Sequence, residues 1–204
     1  MGLGPENDKH AAQIGMNQIR QTFSPAGIIA GVAAMAAIVA LSNYLVQFAI
    51  NDWLTWAAFS YPVAFLVTDL TNRSMGPKAA RLVICAGFAL AVVLSLWLAT
   101  PRIAIASGSA FLVAQLLDVA VFNRLRAGLW WRAPLVSSTI GSVVDTALFW
   151  SIAFAATGLP WVTWALGDFA VKMAMTAFLL LPFRLLMPLL PALGSRSARA
   201  ALSD

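Results

Sequence analysis

Long apolar runs constrain the fold of this chain more than any other feature of its sequence. A membrane-spanning helix needs about 20 mostly apolar residues. Four mostly apolar runs reach that length: 26–50, 79–99, 102–122 and 133–157. A fifth, 161–187, is long enough but contains Asp168, Lys172 and Pro182. Of all residues, 61% are hydrophobic and only 10% are charged, whereas soluble domains carry about 25% charge. The sequence therefore predicts an all-α integral membrane protein.

The stretch YPVAFLVTDLTNR (61–73) leaves the number of spans open, because residues 53–72 could form a sixth span or a re-entrant loop. The distribution of basic residues favours a sixth span. With six spans, the two tails and the even-numbered connections hold ten basic residues and the odd-numbered connections hold one, Arg102. The ten are Lys9, Arg20, Arg73, Lys78, Arg81, Arg124, Arg126, Arg132, Arg196 and Arg199. Basic loops stay in the cytosol, so both termini are predicted to be cytosolic.

This topology divides the chain into three parts. Residues 1–25 are predicted to be a cytosolic N-terminal tail, residues 26–190 one six-helix transmembrane domain, and residues 191–204 a cytosolic C-terminal tail.

Ionisable residues inside the predicted spans are candidates for function, because each is costly in lipid unless it is paired or hydrated. They are Asp69, Asp118, Asp145, Asp168 and Lys172, with the neutral polar residues Asn43, Gln47, Asn72 and Gln115 nearby. Helical spacing places them on one face of each span except the third, so the polar faces are expected to converge on one interior site.

The charged residues also differ in their predicted depth in the membrane. Asp145 and Lys172 lie roughly 16–18 Å from the ends of their helices, near the middle of a bilayer core about 30 Å thick. They are predicted to pair across helices, while Asp168 can reach Lys172 along one helix. Asp69 and Asp118 lie only about 5–7 Å inside the cytosolic edge. A purely structural role, as salt bridges and interhelical hydrogen bonds, stays open for all of these groups.

Several functional classes lack the residues that they need. The only histidine is His10 in the N-terminal tail, and the only cysteine is Cys85 in an apolar run. A zinc, haem or copper site inside the spans is therefore not expected. No glycine-rich phosphate loop is present. A small-solute carrier without a cofactor fits better than an enzyme or a nucleic-acid-binding protein.

Four motifs resemble the bacterial queuosine precursor transporter family, earlier labelled a vitamin uptake transporter family. They are FLVTDLTNR, AQLLDVAVFNRLR, WWRAPLVSSTIGSVVDTALFWSIAF and the pattern of Gly167, Asp168 and Lys172 in the last helix. The resemblance covers about residues 57–186. It implies a six-helix protein of the bacterial inner membrane that imports 7-cyano-7-deazaguanine, or its 7-aminomethyl relative, for tRNA modification. It also implies a fold similar to the substrate-binding subunits of energy-coupling-factor transporters.

The donor edge of a deazaguanine suits a carboxylate, its carbonyl suits an amide or amine, and its flat faces suit aromatic rings. Either Asp145 or Asp118 is expected to bind the donor edge. The other expected binding residues are Gln115, Asn43, Asn72, Lys172, Phe122 and Phe149, the last two as stacking rings. The candidates for a gate or coupling role are Asp69, Arg73, Asp168 and Arg124.

Two other functions remain compatible with these residues. The chain could capture a vitamin or purine for a separate energising complex, or it could be a non-transporting subunit of a membrane assembly. Small residues on an outward helix face would also permit a homodimer.

Overall fold

A computed structural model describes residues 25–98 and 100–190 of the chain. The elements are α1 (Pro25–Leu45), β1 (Ala49–Asn51), β2 (Leu54–Thr55), α2 (Ala57–Ser60), α3 (Val63–Leu98), α4 (Pro101–Leu125), α5 (Arg132–Phe154) and α6 (Trp161–Leu186). The predicted tails, with the basic residues in them, lie outside the described residues except for Pro25. Their assignment as separate parts of the chain stays a prediction.

Five helices are long and apolar enough to cross a membrane: Pro25–Leu45, Ala57–Val93, Pro101–Leu125, Arg132–Phe154 and Trp161–Leu186. Large apolar side chains such as Ile29, Ile105 and Phe178 are exposed on their outer faces. Exposed apolar surface of this extent indicates contact with lipid. The prediction of an all-α membrane protein is confirmed at this level.

Helix α3 is interrupted at Gly76, whose φ of 86° and ψ of 174° are not helical. Glycine adopts this positive φ without the steric penalty of a Cβ atom, and Pro77 then fits the first turn of the following helix. The rings of Tyr61 and Phe88 both contact Phe111, at centroid distances of 6.4 and 5.9 Å. A continuous helix would separate Tyr61 from Phe88 by about 40 Å. Residues 63–75 and 77–98 therefore fold back on each other as a helical hairpin.

The largest core cluster lies between α1, the helical hairpin and α4. It includes Met35 and Val39 of α1, Val83 and Ile84 of α3, and Phe111 of α4. Helices α4 and α5 pack along each other, and α6 packs against α5. This arrangement surrounds an interior to which α1, α3, α4, α5 and α6 all contribute buried polar side chains.

Strands β1 and β2 form a short antiparallel β-hairpin between α1 and α2. The Thr163 hydroxyl of α6 donates a hydrogen bond of 2.9 Å to the Asp52 carbonyl. The backbone of Trp53 lies so close to Gly167 that any Cβ atom there would overlap the Trp53 carbonyl. The β-hairpin is therefore seated on α6. We call this end of the bundle the hairpin end, and the opposite end, where Gly76 and the turn at 126–131 lie, the basic end.

Candidate functional site

A small cavity of about 20 Å³ lies in the half of the bundle near the hairpin end. Helices α1, α4, α5 and α6 and the segment around α2 all contribute to its wall. The lining residues are Ser42, Asn43, Val46, Ala57, Tyr61, Ser107, Asp145, Phe149, Trp150, Asp168 and Lys172. Sequence reasoning predicted binding roles for four of these: Asn43, Asp145, Phe149 and Lys172.

The charged centre of the cavity is Lys172, which lies between two carboxylates. Its Nζ is 2.8 Å from Asp145 Oδ2 and 2.5 Å from Asp168 Oδ2. The same amine donates to the Thr146 hydroxyl at 3.1 Å. All three charged residues are at least 95% buried. Both predicted pairings of Lys172 are therefore confirmed, and the cluster keeps one net negative charge when all three groups are ionised.

Asp168 is held more firmly than Asp145. Its Oδ2 accepts hydrogen bonds from Thr146 Oγ1 and Trp150 Nε1, each at 3.2 Å, as well as the ion pair with Lys172. Asp145 accepts from Lys172 through Oδ2, and its buried Oδ1 lies near the Tyr61 hydroxyl without a hydrogen bond of good geometry. Asp145 Oδ1 can therefore accept a hydrogen bond from a molecule in the cavity.

Tyr61 adds a second polar group without a well-aligned partner. Its hydroxyl is buried near Asp145 and Ser107 but forms no hydrogen bond of good geometry. Its ring lies 5.3 Å from Lys172 Nζ, within the range of a cation–π interaction. A buried polar atom without a partner costs about 1–3 kcal/mol. The Tyr61 hydroxyl and Asp145 Oδ1 are therefore placed to bind a polar ligand.

Aromatic rings and an amide complete the wall. The rings of Phe149 and Trp150 are 5.4 Å apart, and Trp150 also contacts Phe154 at 5.1 Å and Trp164 at 6.1 Å. This cluster offers a large apolar surface beside the charged centre.

Asn43 lies on the wall formed by α1. It accepts a hydrogen bond of 2.5 Å from the Ser107 hydroxyl of α4. This bond fixes the orientation of the Asn43 amide at the cavity.

Four predicted binding residues do not line this cavity. Gln115 accepts a hydrogen bond of 2.5 Å from Thr68. Asn72 donates to the Val119 carbonyl at 3.3 Å. Phe122 packs against Phe183, and Asp118 lies beside Asp69. Ser107 of α4 lines the cavity, and Gln115 lies about 12 Å further along the same helix. These residues therefore lie further towards the basic end. The described interior thus holds two polar groups, and a binding role for these four residues stays a prediction.

The predicted gate residues also lie in different parts of the bundle. Asp168 belongs to the charged centre of the cavity, and Asp69 lies in the second polar group. Arg124 is exposed, whereas Arg73 is partly buried at the basic end. Beyond the end of α4, Arg126 Nη2 donates to the backbone carbonyl of Asn72 at 2.7 Å and to its side chain at 2.5 Å. Burial and the nearby Arg73 lower the pKa of Arg126 from its usual value.

A second small cavity, of about 20 Å³, lies towards the basic end, and Asp69, Ser138, Thr176 and Phe183 are among its lining residues. Phe65 lines this second cavity and packs against Gly141, where an added Cβ atom would come within 2.6 Å of the Phe65 ring. Gly141 precedes Asp145 by one turn of α5, so the Phe65 ring packs one turn away from the residue that lines the first cavity.

Sequence reasoning did not identify Tyr61, Trp150 and Ser42 as parts of the cavity. A signal for Tyr61 was available, because it precedes Phe65 by four residues and Asp69 by eight and so shares their helical face. Trp150 gave no such signal, because tryptophans near span ends are common in membrane proteins. Across residues 25–98 and 100–190, no three His, Cys, Asp or Glu side chains come together as a metal site would need.

Comparison with known proteins agrees with the motifs. A family model described as "Putative vitamin uptake transporter" matches residues 55–100 and 95–187. The chain is 37% identical over 196 residues to the "Queuosine precursor transporter" of Escherichia coli, covering 81% of this chain and 89% of that protein. It is 37% identical over 186 residues to the "Probable queuosine precursor transporter" of Haemophilus influenzae, covering 71% of this chain and 79% of that protein.

No solved structure matches the chain, so its likeness to energy-coupling-factor subunits stays a prediction. The resemblance carried by the motifs around Asp69, Asp118 and Asp145 is confirmed, and it extends over the same helices that build both cavities. This multi-pass membrane protein belongs to the queuosine precursor transporter family.

Proposed function

We propose that this protein imports 7-cyano-7-deazaguanine, a queuosine precursor, across the bacterial inner membrane. The observation that carries the proposal is the cavity near the hairpin end, with its unpartnered Asp145 Oδ1 and Tyr61 hydroxyl. Its free volume of about 20 Å³ is room for little more than one water molecule. The lining side chains must therefore move apart to admit a bicyclic base. The names of the relatives supply the substrate class.

Recognition of the base follows from the charges in the cavity. The ring N–H and exocyclic amine of a deazaguanine are donors, and Asp145 is the acceptor that faces them. Each carboxylate oxygen carries two lone pairs, so Oδ2 can accept from Lys172 and from the base together. Asn43 and the Tyr61 hydroxyl serve the remaining polar atoms of the base. Phe149 and Trp150 cover its faces. Asp118, Gln115, Asn72 and Phe122 act further along the pathway.

The direction of import follows from the proposed topology. Six spans result when the helical hairpin broken at Gly76 counts as two crossings. The basic end then lies in the cytosol, because Arg73, Lys78, Arg126 and Arg132 cluster there. The hairpin end faces outwards, so the first cavity opens on the side from which the precursor arrives.

Single-cysteine labelling tests this topology in a Cys85→Ser background. An impermeant maleimide should label Asn51→Cys in the β-hairpin on intact cells. Ala127→Cys and Lys78→Cys should react only after permeabilisation. If Lys78→Cys reacted neither on intact nor on permeabilised cells, the sixth span would be contradicted. If Ala127→Cys reacted on intact cells, the orientation would be the reverse of the proposed one.

Ligand-induced stabilisation of the purified protein tests binding. At 100 times its dissociation constant, 7-cyano-7-deazaguanine should stabilise the fold by about 2.7 kcal/mol. Tyr61→Phe should weaken binding about tenfold, because one buried hydrogen bond is worth roughly 1–1.5 kcal/mol. The matched control is Tyr44→Phe, whose ring is exposed at the outer face of α1 and whose affinity should not change. Equal affinities for the two variants would remove Tyr61 from the site.

A further inference from the structure

The second polar group contains two neighbouring carboxyl groups. Asp69 on α3 and Asp118 on α4 are 3% and 0% exposed, and their side chains lie against each other. The hydroxyls of Ser137 and Ser138 on α5 donate to Asp69 at 3.5 and 3.3 Å. They also lie beside Asp118, yet neither oxygen of Asp118 has a hydrogen bond of good geometry.

Among the residues that the structure describes, no cation lies within ion-pair distance of this pair. Within residues 25–98 and 100–190, the ion pairs are those of Lys172 with Asp145 and Asp168, in the other cavity. Helix α1 contributes no charged residue. At the basic end, Arg126 is bonded to Asn72, and Arg184 of α6 lies 5.0 Å above the Trp130 ring.

The remaining basic residues of the packed elements are also directed elsewhere. Arg73 on α3 lies one turn beyond Asp69, near Arg126 and Arg184, and is only partly buried. Arg124 on α4 and Arg132 on α5 are exposed. The pair Asp69–Asp118 is therefore a buried acidic pair without a counter-charge.

Two adjacent carboxylates cannot both stay ionised in such a place, because desolvation and mutual repulsion both oppose the charged form. One bound proton removes the mutual repulsion and leaves a single buried charge. It neutralises one carboxyl group and gives that group an O–H that donates to the other. One oxygen of Asp118 then acquires a hydrogen-bond partner. A proton is thus the ligand that this arrangement fits.

The pair also lies beside the pathway. Asp69, Ser138 and Phe65 line the cavity towards the basic end, and the Phe65 ring packs against Gly141, one turn before Asp145 on α5. Asp69 and Phe65 are four residues apart on one helical face. A change of charge at Asp69 would therefore act on the helix that carries Phe65.

We propose that the Asp69–Asp118 pair is a proton-binding site that couples inward proton movement to import of the precursor. The inference rests on the proposed function, since it supplies the driving force for that transport. The proton adds to a carboxylate oxygen from the outer side and leaves to the cytosol, and no other bond changes.

Reconstituted vesicles that hold the protein test the coupling. With the outside one pH unit more acidic, 7-cyano-7-deazaguanine should accumulate up to about tenfold inside, because one pH unit corresponds to 1.36 kcal/mol. A pH dye inside should report acidification only when the precursor is added. Asp118→Asn should abolish both effects and keep ligand-induced stabilisation. The control Asp52→Asn, in the exposed β-hairpin, should retain both.

A second measurement keeps the proposal testable if Asp118→Asn does not fold. The infrared spectrum of the unaltered protein should contain the carbonyl band of a buried protonated carboxylic acid, and the band should shift in deuterated water. Absence of that band would overturn the proton site. Binding of the precursor with no response to the pH gradient, or with accumulation driven by a sodium gradient instead, would overturn the coupling and leave the proposed function intact. Absence of binding would overturn the proposed function itself.

Discussion

Lys172→Met should destabilise the protein by about 3–5 kcal/mol and abolish uptake of the precursor. The amine of Lys172 is the shared partner of Asp145 and Asp168, at 2.8 and 2.5 Å. Methionine retains most of the volume but leaves two carboxylates facing each other in a buried site. Removal of one partner from a buried ion pair costs about 3–5 kcal/mol, because the remaining charge stays desolvated without compensation. Thermal unfolding in detergent measures this loss.

Two comparisons separate the lost charge from the lost side chain. Lys78→Met alters an exposed lysine and should change stability by less than about 0.5 kcal/mol. Lys172→Met combined with Asp168→Asn should recover part of the stability, because one of the two facing charges is then absent. If Lys172→Met were as stable as the unaltered protein, the ion-pair account of the cavity would be wrong.

Gly167→Ala should lift the β-hairpin off α6 and weaken binding of the precursor. The new methyl group would overlap the Trp53 carbonyl and approach Leu54 Cδ2 to 3.3 Å. Overpacking of this kind costs about 1–3 kcal/mol, and here the obstructing atoms belong to the backbone, which cannot rotate away. The hydrogen bond from Thr163 to the Asp52 carbonyl should be lost at the same time.

Hydrogen exchange of residues 49–56 measures this displacement. The Trp56 amide donates to the Phe48 carbonyl at 3.1 Å, and its exchange should accelerate in Gly167→Ala. The matched control is Ala170→Val, which adds volume on the exposed face of the same helix and should leave exchange unchanged. Unaltered exchange in Gly167→Ala would mean that the close contact between the β-hairpin and α6 is not as described. The contact also explains why glycine precedes Asp168 in the last motif.

The sequence predicts the class of fold and the central ion pairs because each depends on a strong, simple signal. Runs of about 20 apolar residues are readily recognised. A lysine at mid-depth among carboxylates has few other partners in lipid, and the structure indeed pairs Lys172 with both Asp145 and Asp168. The separation of four residues between Asp168 and Lys172 on one helix is enough to predict one of these pairs.

The division of the interior into two polar groups depends on distances between helices, which sequence periodicity does not encode. Helical spacing shows that Gln115 and Asp118 share a face with Ser107. It does not show that Thr68 approaches Gln115, or that Asp69 approaches Asp118 rather than Asp145. Those contacts follow from the reversal at Gly76, which brings the Asp69 helix beside α4.

Under the two proposals, the charged residues of the interior have different chemical tasks. The group around Lys172 binds the base through Asp145, whereas the Asp69–Asp118 pair, which has no ion-pair partner among the described residues, binds a proton. Phe65, which packs on Gly141, lies on the helix that carries Asp69.

Import of the precursor is tested in bacterial cells that can neither synthesise it nor import it with their own transporter. These cells would express this protein and receive nanomolar 7-cyano-7-deazaguanine, and queuosine in tRNA would then be measured. We expect the unaltered protein to restore queuosine and a membrane-inserted Asp145→Asn variant not to do so. Absence of queuosine with the well-inserted unaltered protein, or full restoration by Asp145→Asn, would contradict this expectation.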